Sequence, residues 1–369
     1  MLIKEIINLL ETIAPPSLQE EYDNAGLLTG DAAWNCTGAD ICLDVTEDVV
    51  KEAIEKNCNL IIAHHPIIFK GLKKINGKNY VEQTIITAIK NDIAIYAIHT
   101  NLDNVLNGVN GKIADMLGLA NRKILVPKQN LLQKLAVMVP VNDKEKMMNA
   151  LFAAGAGHIG NYRECSFSTE GTGTFKAGIG TEPFVGNVGE RHTENEVKAE
   201  VIFPGWLQQQ VIKAMIASHP YEEVAYDIYN LANAYQQTGS GIIGELKEPV
   251  AEMEMLENLK YTFKIPVIKH SAFTERPIKK VAFCGGAGSF LTGAAIAAGA
   301  DIYITADIKY HEFFDAGKRL LLADIGHYES EQFTIDLLFD ILRQNFPNFA
   351  VLKTGVNTNP VHYFEGKAE

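Results

Sequence analysis

The stretch Leu60-Ile61-Ile62-Ala63-His64-His65-Pro66 decides how the rest of the chain is read. Four apolar residues in a row, with no in/out alternation, predict a short strand covered on both faces. Pro66 closes it, because proline has no backbone N–H to continue a ladder. His64 and His65 therefore stand at a carboxyl end, where open parallel sheets take their ligands. Adjacent strand residues point to opposite faces. One metal would rarely take both imidazoles, but two neighbouring metals could take one each. A strand cap made of two loop-facing histidines is the competing reading.

On either side of that stretch the same style repeats. Residues 41–45 form an apolar run suited to a strand. Thr46 is a candidate N-cap for a helix running to about residue 56, with Glu47 and Asp48 in its first turn. Residues 81–90 read as a helix, 93–98 as a strand and 108–117 as a helix. Near the far end, 281–284, 302–305, 320–325 and 350–352 read as strands. Between them lie helices at 289–298 and 310–317 and a long one at 329–344. Strands separated by helices of about ten residues predict an α/β fold with parallel-rich sheets. The middle differs. Extended stretches at 135–141, 164–168, 172–179, 196–203 and 225–229 enclose helices at 144–154 and 207–218, a split βαβ, ferredoxin-like α+β pattern. The chain is thus expected to hold one α/β core made of 1–125 and 246–369, with 126–245 as an inserted domain.

Six polar residues fall at or just past strand ends: His64, His65, His99, Asp103, Asp307 and His327. His327 and Glu331, four apart at a helix start, share one face. Imidazole plus carboxylate at that spacing suits zinc, manganese or iron; a first-turn glutamate favoured by the helix dipole explains it as well. Asp103 could bridge two cations, or close an Asx turn. Together His64, His65, Asp103, His327 and Glu331 offer three nitrogens and two carboxylates. That set suits a two-metal site, and paired cations suit hydrolysis. His99, Asp307 and His311 are candidates to orient a ligand or move a proton, although surface polarity accounts for Asp307 and His311 equally. Gly285-Gly286-Ala287-Gly288 is neither a full GxGxxG nor a Walker A, and reads as tight strand–helix packing. Cys284 reads as a buried small hydrophobe, and His219 as part of a loop.

Composition sets the bounds. The 369 residues carry 33 Lys plus Arg against 45 Asp plus Glu, a net charge of −12. Such a chain repels phosphate backbones, which argues against nonspecific nucleic-acid binding. A hydrophobic share of 47% supplies ample core, so disorder is excluded as the dominant state. No apolar run is long enough for a membrane helix. The five cysteines, odd in number and without CxxC, fit a reducing cytosol. The first residues lack a basic, then apolar, export signal. A cytoplasmic location is expected.

With these residues in hand the chain resembles the Nif-three-like family, the GTP cyclohydrolase I type 2 homologues. The matching stretches are Tyr22-Asp23-Asn24-Ala25-Gly26-Leu27, Ala63-His64-His65-Pro66, His99-Thr100-Asn101-Leu102-Asp103, the glycine run at 285–288, Thr305-Ala306-Asp307-Ile308-Lys309-Tyr310-His311 and Asp324-Ile325-Gly326-His327-Tyr328-Glu329-Ser330-Glu331. Tyr22 stands where the family often has tryptophan. The resemblance implies a dinuclear centre held by His64, His65, Asp103, His327 and Glu331, with zinc the first expectation and iron or manganese alternatives. It also implies a ring-shaped homohexamer and a PII- or CutA-like character for the insert. The reaction it implies is hydrolytic opening of the guanine ring of GTP, so GTP or another nucleotide-like molecule is the expected ligand. No guanine-reading or triphosphate-gripping motif accompanies it. A non-enzymatic metal-binding regulatory or scaffold protein is the alternative.

Overall fold

A computed structural model describes residues 1–364. Its described residues fall into two compact units. The first joins Met1–Pro127 to the residues from Gln237 onward, and the second is Lys128–Gln236.

The first unit contains two sheets. In one, Leu60–Ala63 lies between Ala39–Cys42 and Ala94–Ala97, parallel to both, and Val351–Lys353 adds a further parallel strand beside Ala39–Cys42. All four residues of Leu60–Ala63 are buried, because helices cover both faces. Leu60 and Ile62 pack with Ile3, Leu10 and Leu338. Ile61 and Ala63 pack with Val49, Val50 and Ile85. Each such side chain stabilises the fold by roughly 1.5–3 kcal/mol relative to exposure. The helix Glu47–Glu55 starts where expected, with Thr46 Oγ1 accepting from the Val49 N–H at 3.3 Å.

The second sheet runs in the order Lys269–His270, Leu321–Asp324, Ile302–Ala306, Ile278–Ala287, Tyr235–Val250, Ala120–Lys128. Its three central strands are parallel. Phe283, Ile302 and Ile304 face one core; Ala282, Cys284 and Tyr303 face the other.

Three features differ from the sequence expectation. The sheets are mixed at their margins: Gly26–Thr29, Lys269–His270 and Tyr235–Val250 each pair antiparallel with a neighbour. The helix expected at 329–344 is two helices, His327–Glu331 and Thr334–Asn345. Between them the Gln332 side chain donates to the Phe263 carbonyl, and Phe333 packs on Phe263 at 5.9 Å. Tertiary packing thus interrupts the ladder. Finally, the two stretches expected at 164–168 and 172–179 are one strand, Ser166–Lys176. Its Gly173 lets a side chain approach the backbone, since a Cβ there would stand 1.9 Å from Glu196 Oε2.

The second unit carries a four-stranded antiparallel sheet ordered Ser166–Lys176, Arg191–Pro204, Leu132–Pro140, Tyr226–Leu231. The chain runs strand, helix, strand, strand, helix, strand, which is the ferredoxin-like arrangement. Its core includes Val137, Leu151, Phe203 and Met215. His219 ties a loop within this unit: a ring nitrogen meets the Met138 carbonyl at 2.8 Å, and the other accepts from the Tyr221 N–H.

Candidate metal centre

The parallel ladder continues past Ala63. His64 N–H donates to the Cys42 carbonyl and His65 N–H to that of Leu43, at 3.2 and 2.9 Å. Both backbones are fixed, and the two rings do not part to opposite faces as strand alternation predicts but lie with centroids 4.9 Å apart. His64 is fully buried, and its Nδ1 lies 2.9 Å from the Ile98 carbonyl. A carbonyl can only accept, so Nδ1 carries the hydrogen and Nε2 keeps its lone pair. His65 Nδ1 meets Asp44 Oδ1 at 2.8 Å. His99 Nδ1 meets Asp23 Oδ1 at 2.8 Å, and His327 Nδ1 meets Asp307 Oδ2 at 2.7 Å. Four imidazoles are therefore oriented through Nδ1 by an oxygen acceptor. This is how carboxylates and carbonyls aim histidine ligands at metals.

Glu331 stands among them, 3% exposed. Its Oε2 accepts from His65 Nε2 at 3.0 Å and His327 Nε2 at 3.1 Å. Its Oε1 faces His64 Nε2 at 3.9 Å. Asp103 ends the one-turn helix Thr100–Asp103, so it closes no Asx turn, and its Oδ1 lies 3.6 Å from His64 Nε2. Both His64 Nε2 and Asp103 Oδ1 are buried without a hydrogen-bond partner. Such orphaned pairs are costly unless something completes them. Three groups, His64 with Asp103 and Glu331, His65 with His327 and Glu331, and His64 with His65 and His99, each place their donor atoms within 4.8 Å of one another. The donor set and its orphaned atoms fit divalent cations.

Electrostatics agree with that reading. Burial pushes His64 down to about 4, which keeps it neutral. Burial opposes charge on His65, but Asp44 and Glu331 prevail and lift it to about 10. At His327 burial again opposes, and Glu331 and Asp307 raise it to about 9. Burial holds the Asp103 carboxyl well above the usual carboxylate range, and the Glu331 charge adds to it. Burial also acts against Glu331, yet hydrogen bonds from His327 and His65 hold it well below. The cage thus stores its own counter-charges in imidazolium form.

The glycine run serves this cage. Gly285 N–H donates to Asn110 Oδ1, Gly286 N–H to Ser330 Oγ and Gly288 N–H to Thr305 Oγ1, each at 2.9 Å. These amides are spent on side chains, so the run packs tightly and forms no phosphate cradle. At Gly286, φ is +61° and a Cβ would stand 2.3 Å from Glu331 Oε1. Burial pushes the Cys284 thiol up, and its Sγ meets the Gly285 carbonyl at 3.4 Å; it stays a thiol rather than a nucleophile.

Of the sequence candidates, His64, His65, His99, Asp103, His327 and Glu331 come together, with Asp307 behind His327. His311 does not join them. It is exposed and packs between Tyr310 and Phe314. Sequence reasoning missed Asp44, which orients His65, although Asp44 obeys the same strand-end rule. It gave no role to Asp23, which anchors His99 and accepts from the Thr100 N–H at 3.0 Å. Hydrogen bonds from His99 and Thr100 outweigh burial and bring Asp23 down to about 2. Beside the cage opens a cavity of about 1020 Å³.

A family model described as Duf34/NIF3 (NGG1p interacting factor 3) matches residues 1–360. The GTP cyclohydrolase 1 type 2 homolog of Halalkalibacterium halodurans is 41% identical over 360 residues, covering 96% of this chain and 97% of its own. The homolog from Bacillus subtilis is 42% identical over 327 residues, 88% of each chain. A crystal structure of a Bacillus cereus protein related to NIF3 superposes with a TM-score of 0.87 at 39% identity, over 99% of both chains.

Proposed function

Because this chain belongs to the Duf34/NIF3 family, we propose that it is a dinuclear metal protein and a metal-dependent hydrolase. The observation that carries the reading is the convergence of Nδ1-anchored imidazoles on the buried Glu331 and the orphaned Asp103 oxygen. His64, Asp103 and Glu331 would hold one ion, and His65, His327 and Glu331 the other. Glu331 is then the shared ligand, the part the sequence had offered to Asp103. Bound divalent ions lower the pKa of water and polarise the bond under attack. Zinc heads the choices for this donor set, with iron and manganese next. Asp44, Asp307 and the Ile98 carbonyl keep each ligating ring in one tautomer. His99, held at Nδ1 by Asp23, is placed to take or give a proton at the cage edge. The relatives' name brings a nucleotide-like substrate into consideration, and the family resemblance a homohexamer. We assign the insert, expected at 126–245 and forming the unit Lys128–Gln236, the role of a PII-like regulatory domain, and we place the protein in the cytoplasm on its cysteine usage.

Turnover of GTP and a panel of phosphoesters by the metal-loaded protein tests the reading. It predicts metal-dependent hydrolysis that disappears in a His64→Ala, His327→Ala double variant. Turnover unchanged in that variant overturns it. Full metal content with no turnover on any substrate favours the regulatory alternative, which the absence of a phosphate cradle at 285–288 already supports.

A further inference from the structure

The walls of the cavity beside the cage say which end of a nucleotide-like molecule they suit. Among the described lining residues seven are carboxylates, and Lys269 is the one lysine or arginine. Asp103 and Glu331 belong to the cage. Asp44 and Asp307 are tied to His65 and His327, and Asp324 is tied to Lys269. Glu20 and Glu329 line the cavity as well, held by amides from Asn104 and Asn359. Even two divalent ions leave this lining net negative. The glycine run, weighed in the sequence as a phosphate grip, has spent the amides of Gly285, Gly286 and Gly288 on side chains.

The apolar part of the wall tells the complementary story. Tyr22, Phe69 and Phe290 line the cavity while 72%, 51% and 71% exposed. Phe69 lies edge-on to His99 at 5.7 Å, so it sits at the rim of the cage. Tyr22 adjoins Asp23, the carboxylate that meets His99 Nδ1 at 2.8 Å. Uncovered rings beside polar ligand groups are what a flat heterocycle stacks on.

Resting on the metal-hydrolase reading, we propose that the ligand of this cavity is an uncharged planar nitrogen heterocycle, a base or nucleoside, and not a nucleoside triphosphate. The acidic wall accepts ring N–H donors and repels a phosphate tail. The exposed rings supply the stacking surface. Divalent ions held by the cage residues would supply the polarisation of the reacting carbon or carbonyl, so recognition would not need a polyphosphate anchor.

Calorimetric titration of the zinc-loaded full chain with guanosine and with GTP, at about 0.15 M salt, tests this. Guanosine is expected to bind about tenfold or more tighter than GTP. A Tyr22→Ala, Phe69→Ala double variant should weaken guanosine about fivefold or more, whereas Tyr22→Phe, which keeps the ring, should bind as the natural chain does. GTP binding more tightly than guanosine, binding of neither, or an unchanged affinity in the double variant at unchanged metal content each overturns the proposal. Metal content is measured on the same samples. A chain that takes up no metal sinks the hydrolase reading together with this inference. A metal-loaded chain that prefers GTP sinks this inference alone.

Discussion

Replacing Gly286 by alanine puts one methyl group against the heart of the cage. The new Cβ would stand 2.3 Å from Glu331 Oε1, 3.2 Å from its Cδ and 3.3 Å from His327 Cε1. A relaxed carbon–oxygen contact needs about 3.3 Å. The carboxylate must therefore retreat by about 1 Å, while metal–ligand distances tolerate about 0.2 Å. Glu331 is buried and bonded to two imidazoles, so it cannot swing aside without breaking them. We expect metal affinity to fall about 10- to 100-fold, the range seen when ligand orientation is disturbed. The φ of +61° adds a backbone penalty of about 1–2 kcal/mol, unrelated to metal. Gly118 separates the two effects, for it has φ +65° and open space around its Cβ position. Gly118→Ala should lower the melting temperature of the chelated protein as Gly286→Ala does, and leave metal affinity alone. Competition titration against a chromogenic chelator reads the affinity, and thermal melts in chelator read the backbone cost. Unchanged metal affinity in Gly286→Ala, or equal losses in both variants, would refute the geometry assigned to Glu331.

Asp44→Asn should cost about tenfold or more in metal affinity, because it loosens His65; Thr358→Val should cost less, since Thr358 only donates to the second Asp44 oxygen at 3.0 Å. His65 and His327 have folded pKa values raised to about 10 and about 9 from 6.5. Their stabilisation of the metal-free protein is full below about pH 6.5 and disappears as pH rises through 9 and 10. Melts of the chelated chain should therefore fall across that window, and metal binding near neutral pH should release about two protons from these imidazoliums, with any proton on Asp103 in addition, measured calorimetrically in buffers of different ionisation enthalpy. The segment 128–236, with its own core around Val137 and Phe203, should melt cooperatively when expressed alone and take up no metal at the affinity of the full chain; a non-cooperative melt contradicts its independence.

What could be read in the sequence follows the reach of each physical signal. Leu60–Ala63 announced itself because burial on both faces removes every polar residue from a strand. The histidines after it were legible because a strand end is a known place for ligands. Asp44 escaped because it was read within the apolar run at 41–45, although the strand ends at Cys42. The break at Gln332–Phe333 carries no proline or glycine; it arises from contacts with Phe263, 69 residues away for the Gln332 bond. The antiparallel margins are short strands such as Lys269–His270, which are too brief to show a period. The strand Ser166–Lys176 was masked by Gly171 and Gly173, and Gly173 is explained only by the Glu196 carboxylate that lies over it.

The most direct test of the central claim is anomalous diffraction from crystals of the full chain loaded with zinc. The account predicts two peaks per chain, one among His64, Asp103 and Glu331 and one among His65, His327 and Glu331. The absence of both peaks, or metal bound away from Glu331, would contradict it.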